Sequence, residues 1–454
     1  MSDLLFTIGS FLVALAILIT VHEFGHFWVA RKVGVRVLRF SLGFGKPLLR
    51  WNDRREGTEF VIASLPLGGY VKMLDEREGE VDEAELHRAF NRQVVWKRAA
   101  IVAAGPICNF LLAFVLYWGI FVVGDTGTRP LVGEITPASV AERAGFERGD
   151  ELLRIADRPT PTWESAVFAL LAEGMDGHDL AVRVRESSGE EVVRWLSGGA
   201  LDGLTESPAI LANVGLEPEH PTLEPVLGEV LDDSAAKRVG MQSGDRIIAA
   251  DGEPVASWDE WVQLVRAHPG NPIRVLIERD GETLDVTITP DVVEDGDERI
   301  GRIGVAVKLP ERQDERYLAE VQLGPFEAVG AALTKTVDTT VLMLRMVGRM
   351  FAGHASIDNL SGPIAIAETA GKTASYGLIP FVKFLAAVSI SLAVLNLFPI
   401  PVLDGGHLLY YLIEWVKGSP LSEQAQLQGQ RFGMLVLALL ITFAFYVDLS
   451  RLLG

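Results

Sequence analysis

Two histidines and a glutamate fall within five positions at His22-Glu23-Phe24-Gly25-His26, inside ILITVHEFGHFWVA, a run that is otherwise apolar. The spacing fits H-E-x-x-H. Residues four apart share one face of a helix, so both imidazoles can reach one metal ion while Glu23 points at a water beside it. Two nitrogens, a carboxylate and one open position make the donor set of a catalytic zinc. The apolar setting strengthens the reading, because ionisable groups within a membrane span are rare and mark functional sites. A third ligand is then needed. Asp404, in NLFPIPVLDGGHLLYYLIEW (residues 396–415), follows two prolines and precedes two glycines, where an irregular backbone can aim a carboxylate inward. His407 competes for the same role but reads as a turn histidine. The one cysteine, Cys108, has no intramolecular partner and reads as a packed apolar side chain.

The elements that must hold these residues are membrane helices. Residues 4–30, 99–123, 384–403 and 432–447 form four apolar runs that reach or approach the ~20 residues a crossing takes, the last being short. Residues 124–325 between them carry 40 Asp and Glu against 19 Lys and Arg, so the net charge of −19 belongs to this block and the remainder is close to neutral. Such an acidic balance argues against a nucleic-acid partner. Basic residues crowd the loop after the first run (Arg31, Lys32, Arg36, Arg39, Lys46, Arg50, Arg54, Arg55), and Lys97 and Arg98 precede the second. By the positive-inside rule that loop is cytoplasmic, and the N-terminus and the acidic block lie outside the cytoplasm. His22, His26 and Asp404 then sit near the cytoplasmic ends of their spans, at similar depth. The first run lacks a basic n-region and is expected to remain as a helix, not to be cleaved as a signal peptide.

The acidic block repeats itself at an offset of 95 residues. LVGEITPASVAERAGFERGDELLRIADRPTPTW aligns with VLGEVLDDSAAKRVGMQSGDRIIAADGEPVASW, matching Gly145 with Gly240, Gly149 with Gly244 and Asp150 with Asp245. A period this long denotes two tandem domains, not a solenoid. Each repeat reads as strand, short helix, Gly-x-x-x-Gly-Asp turn, strand, helix and two further strands. This order and signature resemble circularly permuted bacterial PDZ domains, which bind an exposed chain end by strand addition. The resemblance implies ligand loops at Leu131-Val132-Gly133 and Val226-Leu227-Gly228.

HEFGH in the first run, GPICNFLLA in the second and NLFPIPVLDGGHL in the third together resemble the site-2 protease family of intramembrane metalloproteases. The resemblance covers essentially the whole chain. It implies a polytopic α-helical membrane protein with four transmembrane helices and two tandem periplasmic PDZ-like α+β domains between helices two and three, in the bacterial inner membrane. The implied divisions are a membrane core at 1–123, PDZ domains at 124–220 and 221–310, a linker region with an amphipathic helix at 311–373, and the remaining core helices with the N-x-x-P-x-P-x-L-D-G-G motif at 374–454. His22, His26 and Asp404 match the zinc ligands, Glu23 the catalytic base, and Asn396 an asparagine that holds substrate near the metal. The implied substrate is a single-pass membrane protein cut within its transmembrane segment, an anti-sigma factor after a first cut or a remnant signal peptide.

Residues 58–73 (TEFVIASLPLGGYVKM) alternate like a hairpin around Pro66-Leu67-Gly68-Gly69. The family resemblance implies that this hairpin dips into the membrane and pairs with unwound substrate through Gly68, Gly69, Tyr70 and Val71; a surface hairpin on the cytoplasmic side fits the residues equally well. Residues 325–351 are apolar at helical spacing and fit either a helix lying on the membrane or an ordinary packing helix. A divalent-metal transporter is the first competing reading, but the second and fourth runs offer almost no polar path beyond Asn109. A PDZ receptor without catalysis would leave Glu23 idle. A serine intramembrane protease lacks its G-x-S-G motif here.

Overall fold

The computed structural model describes residues 2–175, 177–201, 209–295, 298–309, 314–352 and 362–453. Among them, four helices are long and apolar enough to cross a membrane: Asp3–Lys32, Val95–Val123, Leu378–Leu397 and Glu423–Arg451. Helix α1 (Ser2–Lys32) runs unbroken through HEFGH and leads into two long strands, β1 (Val37–Asn52) and β2 (Glu59–Met73). Helix α2 (Val95–Val123) follows and packs against α1.

The chain then enters two sheet-containing units. The first comprises β3 (Asp125–Thr128), β4 (Val132–Ile135), α3 (Val140–Arg143), β5 (Glu151–Ile155), β6 (Arg158–Pro159), α4 (Trp163–Gly174), β7 (Leu180–Arg185), β8 (Glu191–Leu196), α5 (Gly198–Leu201), α6 (Ile210–Val214) and β9 (Leu216–Pro218). The second comprises β10 (Leu227–Val230), α7 (Ala235–Arg238), β11 (Arg246–Ala250), β12 (Glu253–Pro254), α8 (Trp258–Arg266), β13 (Ile273–Arg279), β14 (Glu282–Ile288), β15 (Asp291–Asp295), β16 (Glu298–Arg302) and β17 (Val305–Val307). Sheet order repeats as β6-β5-β7-β8 and β12-β11-β13-β14, with β4-β9 and β10-β17 as matching pairs. Each unit buries its own core, around Trp163 and Leu170 in the first and Trp261 and Met241 in the second. Strand β18 (Leu318–Val321) pairs with β3, so the insertion leaves the membrane helices where it entered.

The repeated turn has a physical basis. Gly145 and Gly149, like Gly240 and Gly244, adopt φ between +77° and +97°, which side chains with a Cβ rarely accept. The aspartate that follows is buried in both copies. Asp245 accepts from the Gln242 N–H at 2.8 Å and from the Arg279 Nε–H at 2.6 Å. Asp245→Ala leaves the Gln242 amide without its acceptor and Arg279 with the Gly240 carbonyl alone, and is expected to destabilise this unit by about 1–3 kcal/mol. Faster hydrogen exchange across β11 and β13 in the full-length protein checks this, and unchanged exchange contradicts it.

Helix α9 (Glu327–Phe351) returns the chain to α2. Its small residues Ala328, Ala332, Thr336 and Thr339 face the protein, whereas Val329, Leu333, Val337, Val341 and Leu344 are exposed. The apolar stripe therefore points away from the described protein. The same helix clasps the first unit. Arg345 and Arg349 donate to the Ala172 and Met175 carbonyls at the C-terminal end of α4, where helix carbonyls lack partners. Arg158 bridges Asp338 and Glu173, and Lys335 lies 4.3 Å over the Phe168 ring. Burial at this seam pulls the Lys335 ammonium below the usual lysine range, opposed by the facing Glu164.

Helix α10 (Pro363–Tyr376) runs along α1 and is followed by α11 (Leu378–Leu397), α12 (Asp404–Lys417) and α13 (Glu423–Leu453). Two spans differ from expectation. The third, read as 384–403, ends at Leu397, because Pro399 and Pro401 cannot continue a helix and disfavour it in the residue before them. The fourth, read as 432–447, is a 31-residue helix whose polar ends hid its length from composition. Asp448 of α13, 2% exposed, accepts from the Gly362 and Ile364 N–H groups and so caps α10 from a neighbouring helix. The expected boundary at 310 and, within the expected linker region 311–373, residues 311–313 and 353–361 fall outside the described residues.

Candidate metal centre

The one uninterrupted helix through HEFGH puts His22 and His26 on the same face, their rings edge to face with centroids 4.9 Å apart. Asp404 reaches them from the start of α12. Gly405 and Gly406 make this approach possible: a Cβ on either would collide with the carbonyls of Leu397, Phe398 or Ile400 at the end of α11. Helix α12 is pinned to α2 by Arg98 and Glu414, 2.6 Å apart and largely buried, with Arg98 also over the Tyr411 ring.

His22 Nε2 lies 3.2 Å from His26 Nε2 and 3.2 Å from Asp404 Oδ2, and His26 Nε2 lies 3.5 Å from Asp404 Oδ2. Ligand atoms about 2.0–2.1 Å from a tetrahedral zinc stand roughly 3.3–3.4 Å from one another. The triangle is thus of the size zinc requires. Asp404 Oδ2 is buried and, among the described residues, has no properly directed hydrogen-bond donor. A cation between the three atoms would satisfy all of them, so the donor set fits the metal. Glu23 is not part of the triangle but stands beside it, with His26, His22 and Asp404 as its electrostatic neighbours. His407 turns its ring onto Tyr410 and stays outside the cluster.

Helix α2 supplies the back wall. Gly25 and Gly105 let α1 and α2 cross closely: a Cβ on Gly25 would strike the Ala104 backbone, and one on Gly105 would lie 2.6 Å from His26 Cε1 and 2.8 Å from His22 Cε1. His26 Nδ1 lies 2.8 Å from the Ile101 carbonyl, and Asn109 Nδ2 lies 3.3 Å from His22 Nδ1. Ser389 of α11 donates to the Asn109 carbonyl at 2.8 Å. Sequence reading passed over Ile101 and Ser389; Gly105 and Asn109 stood within GPICNFLLA, but with no role assigned to either. An uncharged polar group in an apolar run was the available signal.

The family model for peptidase family M50 matches residues 10–440. The chain is 44% identical to the regulator of sigma E protease of Salmonella typhi over 459 residues, with both chains fully covered. It is 44% identical to the regulator of sigma-E protease RseP of Escherichia coli K12 and 45% identical to the protease RseP of Yersinia pestis, again over the full length of both chains. The chain belongs to peptidase family M50. As an M50 peptidase it is an intramembrane metalloprotease with zinc as its cofactor, and its four apolar helices fit the inner membrane.

The other expected residues of this M50 peptidase are arranged less simply. Gly69 packs on α1 directly over Glu23, a Cβ there lying 2.8 Å from Glu23 Cγ. The two arms of 58–73 do not pair with each other. Phe40 lies between them, beside Phe60 on one side and Val71 on the other. The long β1 supplies an inner strand that alternation within 58–73 could not reveal. Tyr70 stacks on Phe44 and accepts from Arg39 at 3.2 Å, Gly68 sits against the Phe44 ring at φ +143°, and Val71 packs in the small core around Phe27 and Phe40. Asn396 is half-buried in the last turn of α11.

The expected ligand loops are closed. The N–H groups of Leu131, Val132, Val226 and Leu227 donate to Arg129, Asp150, Glu224 and Asp245, while Gly133 and Gly228 lie against the backbone of β9 and β17. A carboxylate has no free amide among those four. In the second unit the open groove runs instead between α8 and residues 300–306.

Proposed function

We propose that His22, His26 and Asp404 hold the zinc, that Glu23 is the general base, and that the substrate is the transmembrane segment of a single-pass membrane protein. The observation that carries this is the zinc-sized triangle of Nε2, Nε2 and Oδ2 beside Glu23, under an edge strand. Bound there, zinc supplies the Lewis acidity that activates water and polarises a scissile carbonyl. Glu23 takes the water proton and returns it to the leaving amide nitrogen. Among the described residues, 69–73 pair with β1 alone, so their other edge can pair with an unwound substrate and satisfy the backbone groups that lipid would leave unpaired. Asn396, in the last turn of α11, orients the bound chain.

The two inserted units are PDZ-like domains on the periplasmic side, and the second takes an extended chain in the groove beside α8. The basic loop after α1 supports this orientation, with the N-terminus outside. The names of the relatives place them in sigma-E regulation, and an anti-sigma factor is the corresponding substrate class for this chain, with remnant signal peptides as a second.

Alternate residues of an edge strand offer their N–H outward. Proline placed singly at each of 70–73 is therefore expected to lower cleavage of a helical transmembrane substrate by up to about tenfold at the outward positions. Zinc content should stay unchanged. Cleavage that is indifferent to proline at all four sites would remove the strand-pairing part of the reading.

A further inference from the structure

Asn109 is fully buried on α2, inside a membrane-crossing helix. Its Oδ1 has no hydrogen-bond partner among the described residues, while its Nδ2 lies 3.3 Å from His22 Nδ1. His22 directs its other nitrogen, Nε2, into the triangle with His26 and Asp404. A neutral imidazole that ligates through Nε2 carries its proton on Nδ1, and that N–H requires an acceptor. An amide nitrogen cannot accept it. Turning the Asn109 amide by half a turn about Cβ–Cγ brings Oδ1 to Nδ1–H and ends the isolation of that oxygen. His26 already has such an acceptor, the Ile101 carbonyl at 2.8 Å.

From this juxtaposition, and resting on the ligand assignment above, we infer that Asn109 is a positioning residue for the metal centre. Its Oδ1 accepts from His22 Nδ1–H and fixes the ring and tautomer that present Nε2. Ser389 extends the arrangement. It is fully buried on α11, and its Oγ–H donates to the Asn109 carbonyl at 2.8 Å. That bond sets the register of α11, the helix leading to Asp404, against the helix that orients His22. Ile101, Gly105 and Asn109 recur every four residues of α2, so one helix stripe supplies a carbonyl for one histidine, empty space for both rings and an amide for the other. The bond gained by the half-turn falls on a ligand, where it acts on metal affinity.

The test measures zinc affinity of the purified full-length protein by chelator competition, with the visible spectrum of the cobalt-substituted form as a second readout. Asn109→Leu is expected to weaken zinc binding by about 10–100-fold, the usual effect of losing a ligand's hydrogen-bond partner, and to shift the cobalt bands. Asn109→Asp keeps an acceptor and should restore affinity to within a fewfold of wild type. His22→Ala serves as the reference. If His22→Ala keeps its zinc, the ligand assignment itself fails. If His22→Ala loses zinc while Asn109→Leu binds within twofold of wild type, the positioning role alone is overturned. A loss in Asn109→Leu that Asn109→Asp does not rescue, with matching loss of thermal stability in the zinc-free protein, also overturns it, since that pattern reports packing.

Discussion

Replacing Glu23 by Gln is expected to lower the cleavage rate of a helical transmembrane substrate by about 10²–10⁴-fold, the contribution of a positioned general base. Zinc content should remain at the wild-type level. The two readouts separate because Glu23 lies beside the triangle of His22, His26 and Asp404 and is not a member of it. Glutamine matches glutamate in size, so the contact with Gly69 of β2 persists and only the capacity to take a proton is removed. A chelator should abolish the wild-type activity that remains sensitive to this substitution. Undiminished cleavage by Glu23→Gln would refute the assignment of the base. Loss of zinc together with activity would mean that Glu23 holds the metal and does not move the proton.

Gly105→Ala should be nearly as damaging by another route. The added Cβ would fall within the van der Waals envelope of His26 Nε2 and lie 2.6 Å from its Cε1, with His22 Cε1 at 2.8 Å. Both rings would have to move. Neither can do so and keep its partner, since His26 is held at Ile101 and His22 stands at Asn109. Displacement of catalytic groups by about 1 Å costs on the order of 10²-fold in rate, and zinc affinity should fall as well. Gly119→Ala, on the same helix but with nothing within 4 Å of the new Cβ, is the control. It should leave zinc and cleavage unchanged, as expected for a helical glycine replaced by a better helix former. Equal effects at both positions would show that α2 tolerates no alanine for reasons unrelated to the site.

These two experiments bracket the chemistry from opposite sides, one removing a proton acceptor and the other removing space. Asp245→Ala, in contrast, should disturb the second inserted unit and leave the zinc site intact, because the unit buries its own core around Trp261 and Met241.

The sequence by itself determined the donor types and their rough position. His22 and His26 at a spacing of four, an aspartate flanked by prolines and glycines, the basic loop and the duplicated Gly-x-x-x-Gly-Asp turn are all local patterns, and each was legible for that reason. Hydrophobicity also located four spans, but it misjudged their ends. It carried the third helix through Pro399 and Pro401, and it stopped the fourth short where polar residues extend the same helix.

Only the tertiary structure decided what meets what. The triangle joins atoms more than 370 residues apart in the chain, and its 3.2–3.5 Å edges depend on glycines at 25, 105, 405 and 406 that let backbones approach. The inner strand of the β1–β2 sheet comes from β1, so period-two alternation in 58–73 found strands but not their partner. What these groups on α2 do was not legible, even with GPICNFLLA in view, for a physical reason: a backbone carbonyl, a missing side chain and an uncharged amide leave almost no trace in composition or charge. A sequence reveals which groups can bind a metal. The helix crossing that aims their lone pairs is a property of packing, and it appears only once the chain is folded.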